Sequence, residues 1–169
     1  VRISNAHLGA VHAEGLRNDA SVRGRRRGAV MEDELGELIH LADPPGTSGH
    51  VVSLRVLELP APGRDCLDCE FVVETETVKG SFPVYVTSDD LDAWEEALEE
   101  LAGGRFVSWL NSGRTVQFKI KPLSPGVLGV SVHDGPSSQV TVSLPLFPAT
   151  GWIDDQRARL AKVRRAFAS

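Results

Sequence analysis

The fold of this chain is decided by residues 88–100, which read SDDLDAWEEALEE. Apolar residues recur there at spacings of three and four, and the row extends to residue 101: Leu91, Trp94, Leu98 and Leu101. Such a row forms one apolar stripe along an α-helix. Gly103 and Gly104 follow it, and glycine commonly ends a helix in the left-handed conformation. We therefore predict an amphipathic helix over about residues 88–102.

The start of this helix offers two capping residues, Thr87 and Ser88. Either hydroxyl can accept a hydrogen bond from an unpaired N–H of the first turn. With Ser88 as the cap, Leu91 occupies the position where a reciprocal capping box needs Glu or Gln. We therefore expect a simple cap without a reciprocal partner.

Sequence that alternates between apolar and polar residues lies on both sides of the helix. The clearest run is residues 115–121, where Val116, Phe118 and Ile120 alternate with polar neighbours, as in a half-buried strand. A second apolar stripe predicts a helix over about residues 152–167. The pattern predicts the α+β class, with an antiparallel sheet of about eight strands in hairpins and two amphipathic helices packed on it. Trp94, Trp109 and Trp152 fall on apolar rows and are predicted to be core residues.

Charge divides the chain near Met31. Residues 1–30 carry six Arg and two acids, a formal charge of +4, and residues 31–169 carry −9. The first segment has neither helical nor strand periodicity. We interpret residues 1–30 as a disordered basic tail or a mis-assigned upstream extension, and residues 31–169 as a single α+β domain. The cluster from Arg23 to Arg27 is the one hint of nucleic-acid binding, and it lacks the aromatic residues that strengthen such a signal.

Several functional classes find no support in the sequence. No stretch approaches the ~18 apolar residues of a membrane span, and no apolar core of a secretory signal is present, so we expect a cytoplasmic protein. The motifs of phosphate-binding loops, dinucleotide-binding turns and nucleophile elbows are also missing. We assign no catalytic, cofactor-binding or metal-binding residue.

The helix at 88–102 is acidic along its polar face. Residues 89–100 contain seven Asp or Glu and no Lys or Arg. Such a face is either a solvated surface or a surface that attracts a basic protein partner. The residues predicted to bind such a partner are Asp92, Glu95, Glu96, Glu99 and Glu100.

The two cysteines form a C-x-x-C motif, Cys66 to Cys69. A redox pair would place the first cysteine at a helix N-terminus, and a structural zinc site would need two further ligands at paired spacing. Here the motif begins a predicted strand and the histidines are scattered. We interpret both residues as incidental thiols.

An ordered series of motifs resembles an uncharacterised family of small actinobacterial α+β proteins, a domain of unknown function. The motifs are Asp65-x-Leu67-Asp68-x-Glu70, Asp90-Leu91-Asp92-x-Trp94, Trp109 with Gly113-Arg114, and Gly151-Trp152-Ile153. The resemblance covers about residues 36–167 and implies a domain that starts near Met31, with no known activity or substrate. The family pattern includes Asp65, Asp68 and Glu70, which we single out among the acids. It tends to have Tyr and Ala where this chain has Cys66 and Cys69.

Two functional hypotheses follow. The first is a non-enzymatic cytoplasmic protein-binding module, for example one that resembles an immunity protein and neutralises a basic toxin. The alternative is a small enzyme or ligand-binding protein with its site between sheet and helices, using Asp68, Glu70 or His133.

Overall fold

The computed structural model describes residues 36–60 and 64–168. The strands of these residues are β1 (Glu37–Ala42), β2 (Val51–Glu58), β3 (Cys66–Glu74), β4 (Lys79–Thr87), β5 (Val107–Trp109), β6 (Gln117–Ser124), β7 (Val127–Asp134) and β8 (Val140–Leu146). The helices are α1 (Ser88–Ala102) and α2 (Trp152–Phe167). The α+β class and both helices are confirmed. The predictions for residues 1–30 lie outside the described residues.

The eight strands form two antiparallel sheets of four, with the strands of each sheet in chain order. The first sheet is β1 to β4 and the second is β5 to β8. Each sheet is followed by a helix, so the connectivity of residues 36–104, the first half, recurs in residues 105–168, the second half. The packing is reciprocal, because α1 lies along β5 of the second sheet and α2 lies along β1 of the first. The sequence pattern did not reveal this division into two sheets.

The first turn of α1 has a reciprocal cap. The N-cap is Thr87, whose Oγ1 accepts a hydrogen bond from Asp90 N at 3.2 Å. Asp90 Oδ2 in turn accepts from Thr87 N at 2.9 Å, which completes a capping box. The expectation of a simple cap at Ser88 was wrong, because the box is shifted by one residue and uses Asp in place of Glu or Gln. Gly104 ends the helix at φ 74°, as its sequence predicted.

An aromatic cluster joins the two sheets and α1 into one core. Phe71 of β3 and Phe118 of β6 have ring centroids 5.0 Å apart, and Trp94 of α1 and Trp109 of β5 are 5.1 Å apart. Such pairs contribute about 0.5–1.5 kcal/mol each beyond their buried area. Trp109 Nε1 also donates to Asp90 O at 2.8 Å, which ties the first turn of α1 to β5. Trp94 and Trp109 are buried as predicted, while Trp152 is half-buried against the core.

The free edge of β1 is bound by one side chain of α2, Gln156, which is fully buried. Its Nε2 donates to His40 O at 2.7 Å and its Oε1 accepts from His40 N at 3.0 Å. The amide thereby takes the place of a neighbouring strand and pairs a backbone edge that would otherwise be unsatisfied.

The last strand of each sheet, β4 or β8, is an edge strand that contains a proline. Pro145 lies in β8 and Pro83 in β4, and both are edge strands. A proline lacks the N–H that would pair with another strand, so it limits edge-to-edge association. Among the described residues, no helix is long and apolar enough to cross a membrane.

Candidate functional site

The two halves of the molecule carry opposite charge. The first half has fifteen Asp or Glu against three Lys or Arg, a formal charge of −12. The second half has three acids against nine Lys or Arg, a charge of +6. The net charge of −5 therefore hides a strong separation of charge between the two halves of the chain.

Part of the acidic face of α1 is paired with α2. Arg164 of α2 contacts Asp92 at 2.6 Å and Glu95 at 3.0 Å. Arg157 contacts Glu99 at 2.7 Å. Three of the five acids predicted to bind a partner are therefore engaged within the chain, by partners 58 to 72 residues away in sequence. All these side chains keep considerable exposure, so each pair contributes at most about 1 kcal/mol.

The other two predicted acids, Glu96 and Glu100, lie on the opposite flank of α1. They line a groove of about 340 Å³ between α1 and the segment formed by β5 and the β5–β6 loop. Glu100 has a loose contact with Arg105 at 3.8 Å, and no basic side chain of the described residues reaches within 4.0 Å of Glu96. The groove also contains the polar side chains of Ser108, Asn111 and Ser112. This flank can accept hydrogen bonds from a partner and attract positively charged side chains.

The backbone of the groove wall is unusual at Leu110. Its φ of 55° lies in the left-handed region, where a residue other than Gly, Asn or Asp is uncommon, while its side chain is buried. Strained backbone of this kind often marks a functional segment. The sequence contained no signal for it, because glycine, the usual residue for this conformation, stands three positions later at Gly113.

The acids singled out near β3 lie outside the groove beside Glu96 and Glu100. Asp65 is exposed before the strand, whereas Asp68 and Glu70 lie on the solvent side of the first sheet. Glu70 accepts a hydrogen bond from Ser81 Oγ on β4. Asp68 lies 4.0 Å from Arg64, and its Oδ1 is buried with no hydrogen-bond partner in the described part of the chain. Neither side chain lines the groove beside Glu96 and Glu100.

A buried carboxylate that sequence reasoning missed links the two halves. Asp43 accepts hydrogen bonds from Phe147 N at 2.9 Å and from His50 N at 3.2 Å. His50 Nδ1 lies 3.0 Å from Pro145 O and 3.5 Å from Asp43 Oδ2. Because both neighbours can only accept, this nitrogen carries the proton. The dyad holds the β1–β2 loop against the end of β8, and we assign it a structural role.

A second charged cluster stabilises the contact between β1 and α2. Glu37 Oε2 lies 2.8 Å from His40 Nδ1 and 3.4 Å from Arg159 Nη1. The hydrogen bond with His40, together with the nearby positive charge of Arg159, lowers the pKa of the Glu37 carboxyl below its ordinary value, against the opposing effect of burial. This cluster is remote in sequence and was not predicted.

The cysteines have the geometry of structural residues. They are three residues apart in β3, so their side chains lie on opposite faces of the sheet. Burial raises the pKa of the Cys69 thiol to about 12, which keeps it protonated. The described residues contain no group of three His, Cys, Asp or Glu able to hold a metal ion.

A larger groove, of about 540 Å³, lies between the C-terminal end of α1, the β6–β7 hairpin and the start of α2. Its lining is apolar or uncharged and includes Leu101, Leu123, Pro148 and Trp152. His133 lies elsewhere, on the solvent side of the second sheet, where its Nδ1 is 2.8 Å from Thr141 Oγ1. His133 therefore lies on a different sheet from Asp68 and Glu70, the other residues proposed for an enzymatic site.

Comparison with known proteins gives one match. No curated protein and no solved structure matches the chain. A family model described as a family of unknown function, DUF5959, matches residues 36–168. The match covers every strand and helix described above. The chain therefore belongs to the DUF5959 family.

Proposed function

We propose that this protein is a non-enzymatic binding module that recognises a basic protein partner in the cytoplasm through the acidic flank of α1. The observation that carries the proposal is the groove beside Glu96 and Glu100, where Glu96 has no basic side chain of the described residues within 4.0 Å and Glu100 has only the loose contact with Arg105 at 3.8 Å. The remaining acids of the face support it by adding negative potential around the groove.

In this proposal the acidic face has two parts with different roles. Asp92, Glu95 and Glu99 position α2 through Arg157 and Arg164. Glu96 and Glu100 are placed one and five residues after Glu95, on the flank that faces the β5–β6 loop. A Lys or Arg side chain of a partner that entered this groove would meet two carboxylates and the uncharged polar groups of Asn111 and Ser112. Charge-assisted hydrogen bonds of that kind are about twice as strong as neutral ones.

An immunity-type protein that neutralises a basic toxin is one concrete form of this function. It fits the small domain, the charge of −12 in the first half and the actinobacterial origin that the motif resemblance implies. Electrostatic complementarity of this kind accelerates association and selects against acidic competitors.

The test is a charge reversal on the groove, Glu96→Lys with Glu100→Lys. The pair is a like-charge i,i+4 contact, and a lysine near the helix C-terminus interacts favourably with the helix dipole, so the variant is expected to fold. A matched control, Glu58→Lys with Glu76→Lys, changes the net charge equally at two exposed positions of the first half.

Wild type and both variants are used to capture partners from native lysate, and the captured protein is then purified and titrated by calorimetry. We expect a basic partner whose binding weakens as salt rises, since the Debye length falls from about 10 Å at 0.1 M to about 3 Å at 1 M. The groove variant should bind at least about tenfold more weakly than the control variant. Equal binding by both variants, or binding that ignores salt, would refute the proposal.

A ligand-binding protein is the second candidate, and the uncharged groove of about 540 Å³ favours it. That volume is within the range of small-molecule sites. A thermal-shift screen of metabolites and metals, repeated on Leu101→Trp to fill the groove, distinguishes the two. A ligand whose stabilising effect disappears in that variant would support this candidate over the first.

A further inference from the structure

The solvent side of the second sheet has a composition unlike that of the rest of this acidic protein. In β6 the buried residues Phe118 and Ile120 alternate with Lys119 and Lys121, which point outward. The strand register continues the outward row from Lys119 to Ser131 and on to Ser143. Ser143 Oγ donates to Ser131 Oγ at 3.0 Å, so this part of the surface consists of hydroxyl and ammonium groups.

The same side ends in a group of exposed apolar residues. Leu123, Phe106 and Phe147 are 54%, 52% and 41% exposed. Leu123 lies flat over Gly129, where a Cβ atom would stand 3.2 Å from Leu123 Cδ1. Phe106 directly precedes β5, and the register carried one residue further places it beside Lys121. Phe147 follows the end of β8, two residues beyond the outward Pro145.

We call Lys119, Lys121, Phe106, Leu123 and Phe147 the lysine face. The outward positions of β5 to β8 include no Asp or Glu, and in residues 105–151 the only acid is Asp134, which instead accepts hydrogen bonds within the β7–β8 turn. The lysine face thus combines exposed apolar side chains with two cations, and no carboxylate on these strands competes for the cations. Such a surface is complementary to a segment that carries both acidic and apolar side chains.

We propose that the lysine face is a second binding surface, separate from the groove of α1, and that it takes an acidic protein segment with large apolar residues. The apolar side chains of that segment pack on Leu123 and the two phenylalanines. Its carboxylates meet Lys119 and Lys121, and the serine row offers hydrogen bonds to its polar groups.

Charge and shape favour a protein segment over a lipid surface or a nucleic acid. Recruitment to anionic membranes commonly uses clusters of about four to eight basic residues, and the lysine face has two. Two cations also neutralise few phosphates, so they support little binding to a nucleic acid. The exposed apolar group instead matches the anchors of protein interfaces.

The experiment uses the full chain and a labelled twelve-residue peptide in which Asp or Glu alternates with Leu or Phe, measured by fluorescence anisotropy. Two variants alter the face, Lys119→Glu with Lys121→Glu, and Leu123→Ser with Phe147→Ser. Two matched controls are Arg114→Glu with Lys162→Glu, and Val78→Ser with Tyr85→Ser. Circular dichroism and the unfolding midpoint establish that each variant is folded.

We expect binding of the peptide by wild type and both controls, and a loss of at least about tenfold in affinity for each face variant. A peptide with the same apolar residues and Lys in place of the acids should not lose affinity in either face variant, because the proposed function assigns basic segments to the groove of α1. Vesicles with anionic lipid and a single-stranded RNA are offered as the other two probes. No binding of the acidic peptide, equal binding by face and control variants, or tighter binding to vesicles or RNA than to the peptide would overturn the proposal.

Discussion

Replacement of Gln156 tests the most specific contact between the halves. Its amide makes two hydrogen bonds to the backbone of one residue, His40, at 2.7 and 3.0 Å, and the side chain is fully buried. Gln156→Ala removes both bonds and leaves a buried N–H and a buried C=O unpaired. An unsatisfied buried group costs about 1–3 kcal/mol, so we expect a loss of roughly 2–4 kcal/mol in the free energy of unfolding. For a domain of this size that lowers the Tm by roughly 5–15 °C.

Gln156→Glu separates hydrogen bonding from packing, because it keeps the side chain's shape. An ionised carboxylate can accept from His40 N but cannot donate to His40 O, so the variant is destabilised at neutral pH. Burial raises the pKa of such a carboxyl in the folded state. The stabilisation that the protonated carboxyl at position 156 would provide is then fully present below its unfolded pKa of about 4.3, and it is lost as pH rises through the folded pKa. The stability of this variant relative to wild type should therefore recover as pH falls.

Urea unfolding at several pH values measures both effects. The control is Gln117→Ala, which removes a half-buried glutamine with one hydrogen bond of 3.2 Å to Ser108 Oγ. It should change stability by no more than about 0.5 kcal/mol. Two results would contradict this account of Gln156. One is a loss of unfolding free energy in Gln156→Ala no larger than in the control, and the other is a Gln156→Glu variant whose stability relative to wild type does not increase at low pH.

Three further outcomes follow from local geometry. Thr87→Ala removes the cap of α1 and should cost about 1 kcal/mol in urea unfolding, whereas Ser88→Ala should cost less than half of that; the reverse order would contradict the capping box. A thiol reagent at pH 8 should modify Cys66 in the folded protein and Cys69 only after unfolding, because burial raises the pKa of Cys69 to about 12; equal rates would disprove this. The pKa of the Glu37 carboxyl is lowered in the folded protein. The stabilisation that it provides is therefore present above its ordinary pKa near 4.5 and is lost as pH falls through the folded pKa. Glu37→Gln should reduce the loss of unfolding free energy at acid pH, and an unchanged loss would contradict this prediction.

The helices and the α+β class were predictable because their signals are local. The stripe of α1 and the alternation around Phe118 repeat within a dozen residues, and periodicity at that range reflects burial directly. Even the acidic character of α1 was visible. The wrong prediction of a simple cap at Ser88 also has a local cause, because Asp at the third helical position completes a capping box less commonly than Glu or Gln.

The division into two sheets and the details of the site depend on contacts between distant residues. Nothing near Gln156 distinguishes a buried amide on the edge of β1 from a solvent-exposed glutamine in the first turns of a helix. The pairing of Arg164 with Asp92 spans 72 residues, so the sequence showed an acidic face without its cations. Likewise, Asp43 resembled an ordinary turn residue before a pair of prolines. Contacts between residues this far apart in the chain produce no periodic pattern in the sequence.

The opposite charges of the two halves explain why α1 carries more acids than a free helix would favour. Like-charge pairs such as Glu95 with Glu99 cost a few tenths of a kcal/mol in an isolated helix, and no cation in α1 offsets them. In the folded chain Arg157 and Arg164 of α2 offset that cost, because they pair with Glu99 and Glu95. Two guanidinium groups do not neutralise the whole face, however. Glu96 borders the groove on the flank that these arginines do not reach, and no basic side chain of the described residues lies within 4.0 Å of it.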